Sequence, residues 1–159
     1  MMHCLVGSEM CIRDSSIGGG GLISGIGSVL KAFSPKTRVV GVSAKNSAEL
    51  AASIRVGNMV KVDHHETLAD GCAGGVDSDT ITLGLGTEVI DDLIDCSEQQ
   101  IESGLQHIAW SEKMLVEGSA GLAYAAWQED ARNNKNKISA VVLCGANFDK
   151  ETLSPIINS

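Results

Sequence analysis

The stretch SIGGGGLISGIGSVLKAFSP, residues 16–35, places four glycines in a row at positions 18–21 directly before a helical pattern. Apolar residues then recur at steps of three and four, which predicts an amphipathic helix that ends near Pro35. Each glycine costs conformational entropy on folding, so four in a row indicate that a ligand approaches the backbone closely. Bare N–H groups at a helix start bind anions, and phosphate would fit there without a basic side chain. A tight turn between a closely packed helix and sheet is the alternative interpretation.

The glycine run differs from the two commonest phosphate-binding patterns. No register of residues 18–27 gives G-x-G-x-x-G, which excludes the dinucleotide-binding fingerprint. No Gly-Lys-Ser or Gly-Lys-Thr step follows the glycines, which excludes the P-loop of nucleoside-triphosphate-binding proteins. On local grounds the pattern therefore predicts an anion site of another kind, in which the peptide backbone does the binding.

Strand-like and helical segments alternate from residue 17 onward. Apolar runs typical of buried strands lie at 38–43, 59–62, 93–96 and 138–143, and the last is the most strand-like. Helices are predicted at 46–55, 80–91, 97–108 and 119–131, with one more after residue 147. Ser97 and Gln100 fit a capping box at the start of one of them. The alternation predicts an α/β fold, a partial three-layer structure in which helices cover both faces of a parallel sheet and ligands bind at the carboxyl ends of the strands.

The first fifteen residues, MMHCLVGSEMCIRDS, do not fit this alternation. They lack a basic segment, and Glu9 interrupts any apolar core, so they do not form a signal peptide. Their pattern predicts neither a strand nor an amphipathic helix, so no strand is expected to lead into Gly18. The run CLVGSEMCIRDS is similar to translated adapter sequence seen in assembled sequence reads. We therefore expect residues 1–15 to be a non-native or irregular stretch, and residues 16–159 to form the domain.

The composition excludes several classes of partner. The chain has 159 residues, 43% hydrophobic and 20% charged, which suits one globular domain. A formal net charge of -8 disfavours nucleic acid and anionic membrane surfaces, because both require basic patches. The five cysteines form no C-x-x-C pair, which is typical of reduced thiols in a cytoplasmic protein.

Four motifs of the chain occur together in one known family. They are GGGGLISGIGSVLK at 18–31, ETLADG at 66–71, EGSAG at 117–121 and VLCGAN at 142–147. In this order and spacing they resemble the phosphate loop, the "TIADG" segment, the "EGAGA" or "EPTAG" segment and the "SGGN" or "CGGN" turn of pyridoxal-phosphate (PLP) enzymes of the threonine dehydratase/serine racemase type. The resemblance implies the large domain of the tryptophan-synthase-like fold, fold type II, with pyridoxal 5'-phosphate as cofactor and homo-oligomers of the full-length enzyme.

The resemblance also implies roles for individual residues. Backbone amides of the glycine loop would hold the PLP phosphate, and three further residues would lie around the cofactor: the cofactor-binding set is Gly18, Gly19, Gly20, Gly21, Leu22, Gly71, Glu117 and Cys144. Cys144 would sit beside the pyridine nitrogen, where a neutral thiol suits β-elimination better than transamination. Read without the family, Cys144 is a small core residue, Glu117 a solvated carboxylate at a helix start, and Gly71 a turn glycine.

Other features of the family have no counterpart in this sequence. The lysine that forms the Schiff base lies in the family within a segment like S-F-K-x-R, and none of the eight lysines has that context. No catalytic residue is therefore predicted, and we expect a carboxy-terminal fragment that is inactive alone. Some members bind a divalent cation with a Glu, a backbone carbonyl and an Asp, and at these positions this chain has Ser43, the carbonyl of Ser47 and Glu49. Ser47 and Glu49 are weak candidates, and too few oxygen ligands remain to predict a metal site. The adjacent His64 and His65 are expected in a solvated loop.

The function predicted for the parent enzyme is that of a PLP-dependent ammonia-lyase, or dehydratase, acting on threonine, serine or a related β-hydroxy amino acid. A serine racemase-like enzyme is an alternative. So is a hydroxyectoine-utilisation dehydratase, which the run AGGV at 73–76 with Asp79 resembles. Two alternatives of a different kind are a non-catalytic phosphate-binding module and a poorly folded fragment.

Overall fold

A computed structural model of the chain describes residues 11–132 and 137–158. Four strands form one sheet in the order β3-β2-β1-β4, and each neighbouring pair is parallel. The strands are β1 (Cys11–Ser16), β2 (Arg38–Ala44), β3 (Asp92–Cys96) and β4 (Ile138–Val141). The predicted parallel α/β architecture is confirmed.

Six α-helices lie between and after the strands in the described part of the chain. They are α1 (Gly21–Phe33), α2 (Glu49–Val56), α3 (Ile81–Val89), α4 (Glu98–His107), α5 (Gly118–Ala131) and α6 (Lys150–Asn158). A 3-10 turn, Asp70–Cys72, interrupts the long connection between α2 and α3, and a π-helical turn, Ile108–Glu112, extends α4. None of the described helices is both long and apolar enough to cross a lipid bilayer.

Helices cover both faces of the sheet. Side chains alternate along each strand, so a single strand presents residues to both layers of helices. On one face, Val39 of β2 packs with Ile23 of α1 and Leu50 of α2. On the other face, Val40 and Val42 pack against residues of α4, α5 and α6. Each fully buried aliphatic side chain contributes about 1.5–3 kcal/mol, so the two apolar layers hold the helices against the sheet.

The amino-terminal stretch is where the sequence prediction was wrong. Residues 11–15 are not irregular: they belong to β1, which pairs with β2 on one side and β4 on the other. β1 leads directly toward the glycine run, so the strand expected to be missing before Gly18 is present. Backbone hydrogen bonds from two neighbouring strands hold it in place. The sequence did not predict this strand, because a run that contains Arg13 and Asp14 lacks the apolar residues typical of a buried strand. Residues 1–10 lie outside the described part of the chain, and the non-native origin of residues 1–15 stays a prediction.

Two other strand predictions need correction. Residues 59–62 form no strand; the segment is held instead by the Ser53 hydroxyl, which accepts a hydrogen bond from the Val60 N–H at 3.0 Å. β4 is shorter than predicted and lies at the edge of the sheet, with Ile138 exposed and the rest half-buried. Its β-branched residues correctly predicted a strand, but the burial of that strand depends on its position in the sheet, which the local sequence does not give.

The predicted capping box at the start of α4 is confirmed. The Ser97 hydroxyl accepts from the Gln100 N–H at 3.4 Å, and the Gln100 side-chain oxygen accepts from the Ser97 N–H at 2.8 Å. Each side chain thereby satisfies a backbone donor that the helix leaves unpaired.

Replacing Ser97 by alanine is expected to lower the free energy of unfolding by about 1 kcal/mol, because a helix N–H loses its acceptor. For a chain of this size the midpoint of thermal unfolding should fall by about 2–4 °C. Circular dichroism during heating measures it. The matched control is Ser103→Ala, an exposed serine within the same helix, which should leave the midpoint unchanged or slightly raised. Equal midpoints for Ser97→Ala and the unaltered chain would contradict the assigned role.

Candidate cofactor site

The candidate site lies where β1 and β4 end. These strands are parallel neighbours, so the segments that follow them emerge at the same edge of the sheet. A cavity of about 210 Å³ opens there. Its lining residues are Ser16, Gly18, Gly19, Gly20, Gly21, Leu22, Gly71, Cys72, Glu117, Ser119 and Cys144. All eight residues predicted from the sequence to surround the cofactor therefore line one cavity.

The glycine loop owes its shape to Gly20. This residue precedes α1 with a φ of 80°, in the left-handed region that favours glycine. A β-carbon at this position would lie 2.4 Å from Cδ2 of Leu50 and 3.0 Å from Cβ of Thr82. Gly18 is also closely packed, because a β-carbon there would lie 3.1 Å from Cα of Cys72. Backbone alone fits at these two positions.

The start of α1 has the features of an anion site. No side chain caps the helix, and its first turn contains no acidic residue. The N–H groups of a first helical turn have no partner within the helix, and the helix dipole places partial positive charge on them. Since residues 18–22 line the cavity, these donors are available to an anionic group bound in it.

Cys144 reaches the same cavity from the loop after β4. It is a free, half-buried thiol, and its Sγ lies 3.3 Å from the Ser16 hydroxyl at the end of β1. Cys144 is therefore not a fully enclosed core residue. The contact with Ser16 fixes the position of the sulfur next to the start of the glycine loop.

Glu117 joins three of the segments around the cavity. It immediately precedes α5 and is half-buried; its Oε2 accepts from the Asn147 N–H at 3.0 Å. Gly145 makes room for this carboxylate, because a β-carbon there would lie 2.2 Å from Cδ of Glu117. Gly71 is also close, since a β-carbon on it would lie 3.1 Å from Oε1 of Glu117. The carboxylate thus belongs to the wall of the cavity and is not simply a solvated group at a helix start.

Three lining residues, Ser16, Cys72 and Ser119, were missed by sequence reasoning. Burial raises the pKa of the Cys72 thiol, and the nearby Ser119 and Ser16 hydroxyls partly oppose this rise. The Ser119 Oγ is buried and lies near the weakly polar Cys72 thiol, but it has no hydrogen-bond partner among the nitrogen and oxygen atoms of the protein. A buried hydroxyl without a partner is costly, so this one fits a site completed by a polar ligand. All three lie beside or within the motifs already recognised, and that adjacency was the available signal.

The weak metal candidates lie elsewhere. Ser47 and Glu49 are buried and hydrogen-bonded to His64, which is itself exposed and lies in a loop as predicted. His65 is exposed, as expected. The Ser43 hydroxyl is buried without a partner. Among the residues that the structure describes, no group of three or more His, Cys, Asp or Glu side chains is arranged to hold a metal ion.

A larger cavity of about 390 Å³ adjoins the glycine-loop cavity and shares Glu117 with it. Its walls come from the α2–α3 connection, the start of α5, the loop before α6 and α6 itself, with Leu105 of α4. It contains no residue of the glycine loop. The smaller cavity is therefore the candidate site, since it alone combines helix-start donors, a thiol and an unsatisfied hydroxyl.

A parallel α/β sheet with a bare glycine loop at a helix start defines a class of proteins that bind a phosphorylated ligand at the strand ends. The family model described as "Pyridoxal-phosphate dependent enzyme" matches residues 15–145 of the chain. The chain belongs to this family of PLP-dependent enzymes.

Individual relatives agree with this assignment. The chain is 32% identical over 142 residues to the L-threonine ammonia-lyase of Thermotoga maritima, covering 89% of this chain and 35% of that protein. It is 32% identical over 142 residues to the catabolic L-threonine dehydratase of Escherichia coli K12, covering 88% of this chain and 43% of that protein. The chain thus spans well under half the length of these two relatives.

Solved structures of related enzymes superpose on the chain. The processed form of threonine deaminase isoform 2 from Solanum lycopersicum gives a TM-score of 0.85 at 25% identity, covering 97% of this chain and 42% of that structure. Maize serine racemase gives a TM-score of 0.78 at 25% identity, covering 96% of this chain and 47% of that structure. The predicted fold, the large domain of fold type II PLP enzymes, and the predicted family are confirmed.

The residues around the cavity fit PLP. The backbone-only loop suits its phosphate, and the unsatisfied Ser119 hydroxyl offers a further polar contact. The cavity volume of about 210 Å³ lies below the roughly 300–1,000 Å³ of sites that enclose a whole small ligand. The described residues therefore form one wall of a cofactor site. No lysine is among the described residues that line it.

Proposed function

We propose that the chain is the carboxy-terminal part of a PLP-dependent ammonia-lyase that acts on threonine, serine or a related β-hydroxy amino acid. The observation that carries the proposal is the meeting of the glycine loop, Glu117 and Cys144 at one cavity. The threonine dehydratases among the relatives support the substrate class. The chain keeps the cofactor's phosphate site but lacks the lysine that binds the cofactor covalently.

Each group around the cavity has a defined task in this proposal. Backbone N–H groups of residues 18–22 bind the phosphate and so fix the position of the cofactor. The Cys144 thiol, held by Ser16 at 3.3 Å, would lie beside the pyridine nitrogen of bound PLP and would offer it a neutral partner in place of a carboxylate. When bound, PLP supplies the electron-accepting ring for the elimination. The protein positions the cofactor and provides its electrostatic environment.

Racemisation of serine and dehydration of a hydroxyectoine-derived substrate use the same cofactor site and are variants of the proposal. The serine racemases among the superposed structures support the first variant. Substrate selection depends on residues that contact the amino acid, and the cavity described above is the cofactor side of the site. The parent enzyme is proposed to be a cytoplasmic homo-oligomer.

Exposed apolar side chains support the proposal that the chain is part of a longer enzyme. Phe33 of α1 is 86% exposed and Ile81 of α3 is 77% exposed, while Val29 and Val56 are also on the surface. Val29 and Phe33 lie one turn apart on the same side of α1, and neighbouring exposed apolar side chains are typical of faces that pack against other protein. A longer chain would supply both the rest of the cofactor site and the protein that packs against these exposed side chains.

The purified chain is expected to bind a phosphorylated pyridine but to release no ammonia from threonine. Pyridoxine 5'-phosphate is the appropriate probe, because it lacks the aldehyde that reacts with surface lysines. Calorimetric titration should show that it binds more tightly than inorganic phosphate, and phosphate should compete with it. Ammonia release in the presence of PLP and threonine should equal a protein-free blank.

The outcomes separate the alternatives. Turnover above the blank would contradict the proposed loss of activity. Equal affinity for inorganic phosphate and pyridoxine 5'-phosphate would favour a non-catalytic phosphate-binding module. A broad, uncooperative thermal transition without binding would favour a poorly folded fragment.

A further inference from the structure

The carboxylate of Glu49 is buried at the start of α2, with its side chain only 1% exposed. Three donors surround it. Oε1 accepts from the Val76 N–H at 2.9 Å and from Nζ of Lys61 at 3.1 Å, and Oε2 lies 2.9 Å from Nε2 of His64. All three donors come from the long connection between α2 and α3. Glu49 is therefore one of the points at which this connection is attached to the body of the domain; another is the Leu68 N–H, which donates to Oε2 of Glu98 at 2.8 Å.

Ser47 adds a second attachment beside the first. Its hydroxyl accepts from the Gly74 N–H at 3.0 Å and lies 2.8 Å from Nδ1 of His64. The His64 ring thus bridges Ser47 and Glu49. Hydrogen bonds reach the connection on both sides of the 3-10 turn Asp70–Cys72: at His64 before it, and at Gly74 and Val76 after it.

The turn held in this way forms part of the cofactor cavity. Gly71 and Cys72 both line it. The backbone of Cys72 is so close to the glycine loop that a β-carbon on Gly18 would lie 3.1 Å from Cα of Cys72. The connection otherwise has little regular structure, since the turn is its only helical element among the described residues. Its course therefore depends on side-chain contacts, among them those at Glu49, Ser47 and Glu98.

The same contacts show that the Glu49 carboxylate is not available to a divalent cation. Such an ion needs about six oxygen ligands, and here both carboxylate oxygens of Glu49 are taken by a protein N–H group or the imidazole ring, while Ser43 stands at the position of the family's first carboxylate ligand. The Val76 N–H first, and then His64, lower the pKa of Glu49 to about 2, so the group is a carboxylate at neutral pH. Lys61 contributes little, because its side chain is 78% exposed and its charge is screened by water.

We infer that Glu49 is a positioning residue of the cofactor site: by binding Val76 and His64 it holds the α2–α3 connection so that Gly71 and Cys72 form the cavity wall, without a divalent cation. The part of this inference that concerns the cofactor rests on the proposed function. Glu49 itself does not line the cavity. It acts through the turn.

The test replaces Glu49 by glutamine and uses Cys72 as a reporter. In Glu49→Gln, alkylation of Cys72 by iodoacetamide, followed by peptide mass spectrometry, is expected to accelerate about tenfold, because loss of hydrogen bonds to a buried charge allows the turn to open locally. Alkylation of Cys96, which is fully buried in the core, should stay slow. Binding of pyridoxine 5'-phosphate should weaken by a similar factor. Glu88→Gln, an exposed carboxylate on α3, is the matched control and should behave as the unaltered chain.

Unchanged Cys72 alkylation in folded Glu49→Gln would overturn the inference. Equal acceleration of Cys72 and Cys96 would also overturn it, because it would mean general destabilisation and no specific positioning. If Glu49→Gln fails to fold, Ser47→Ala gives a milder test that removes the acceptor for Gly74 and should accelerate Cys72 alone. If the unaltered chain does not bind pyridoxine 5'-phosphate, the proposed function fails, whereas Cys72 alkylation still decides the role of Glu49.

A second measurement addresses the cation. Millimolar Mg²⁺ or Ca²⁺, compared with EDTA, is expected to leave the thermal midpoint of the unaltered chain unchanged. A cation-dependent rise that disappears in Glu49→Gln would show that the carboxylate binds the metal, and would overturn the inference.

Discussion

Replacing Gly118 by alanine is expected to destabilise the protein by about 3 kcal/mol or more, at the upper end of what overpacking costs. A β-carbon at this position would lie 1.7 Å from the carbonyl oxygen of Leu68 and 2.8 Å from the backbone nitrogen of Ala69. Backbone atoms have no other rotamer to adopt, so either α5 or the segment before the 3-10 turn must move. α5 contributes Ser119 to the cofactor cavity, and the segment before the turn leads directly into Gly71 and Cys72, which line it, so binding should weaken along with stability.

Thermal unfolding provides the measurement for Gly118→Ala, and the midpoint should fall by about 6–12 °C for a chain of this length. Gly25→Ala is the matched control. Gly25 lies within α1, and a β-carbon there would have no neighbouring atom within 4 Å. Alanine is the better helix former by up to about 1 kcal/mol, so this control should be slightly more stable than the unaltered chain. A midpoint for Gly118→Ala equal to that of the control would contradict the close approach of the two backbones.

Replacing Gly20 by alanine is expected to remove most of the affinity for a phosphorylated pyridine. The left-handed conformation of this residue costs a non-glycine residue about 1–2 kcal/mol, and the new β-carbon would lie 2.4 Å from Leu50. Relief of that contact must shift the loop or the start of α1. Hydrogen bonds to a charged group contribute about 1.5–3 kcal/mol each, so loss of one of them weakens binding by about tenfold or more.

Calorimetric titration of Gly20→Ala with pyridoxine 5'-phosphate measures this effect, with circular dichroism to establish that the chain is folded at the working temperature. Gly21→Ala is the comparison for folding, because it adds a methyl group one residue away where no protein atom lies within 4 Å. Its thermal midpoint should match that of the unaltered chain. Affinity of folded Gly20→Ala within twofold of the original would show that the glycine loop does not hold the phosphate.

Local signals in the sequence located several elements well. The capping box at Ser97 and Gln100 is formed as predicted, because both partners lie within four residues of each other. The apolar periodicity after the glycine run predicted α1, and the β-branched run at 38–43 predicted β2. The motifs also identified eight residues that line one cavity, although they lie up to 126 positions apart, at Gly18 and Cys144. That success came from resemblance to a family, since no local pattern relates such distant positions.

Other features depended on partners that are distant in the sequence. β1 contains Arg13 and Asp14 and gives no apolar signal, yet it lies in the interior of the sheet because two neighbours supply its hydrogen bonds. β4 has the most strand-like sequence and lies at an edge. Glu49 was a weak metal candidate, but the Val76 N–H and the His64 ring occupy its carboxylate. In each case the deciding contact is made with another part of the chain.

The sequence by itself determined the family, the cofactor, the alternation of strands and helices, and the need for glycine before α1. These depend on motifs, on apolar periodicity and on backbone conformation, all of which are properties of short segments. Only the tertiary structure decided which strand is central, which side chains complete the cofactor wall, and how the Gly71–Cys72 turn is held in place. The physical reason is that backbone pairing and buried hydrogen bonds are satisfied between segments, so their partners cannot be read from either segment alone.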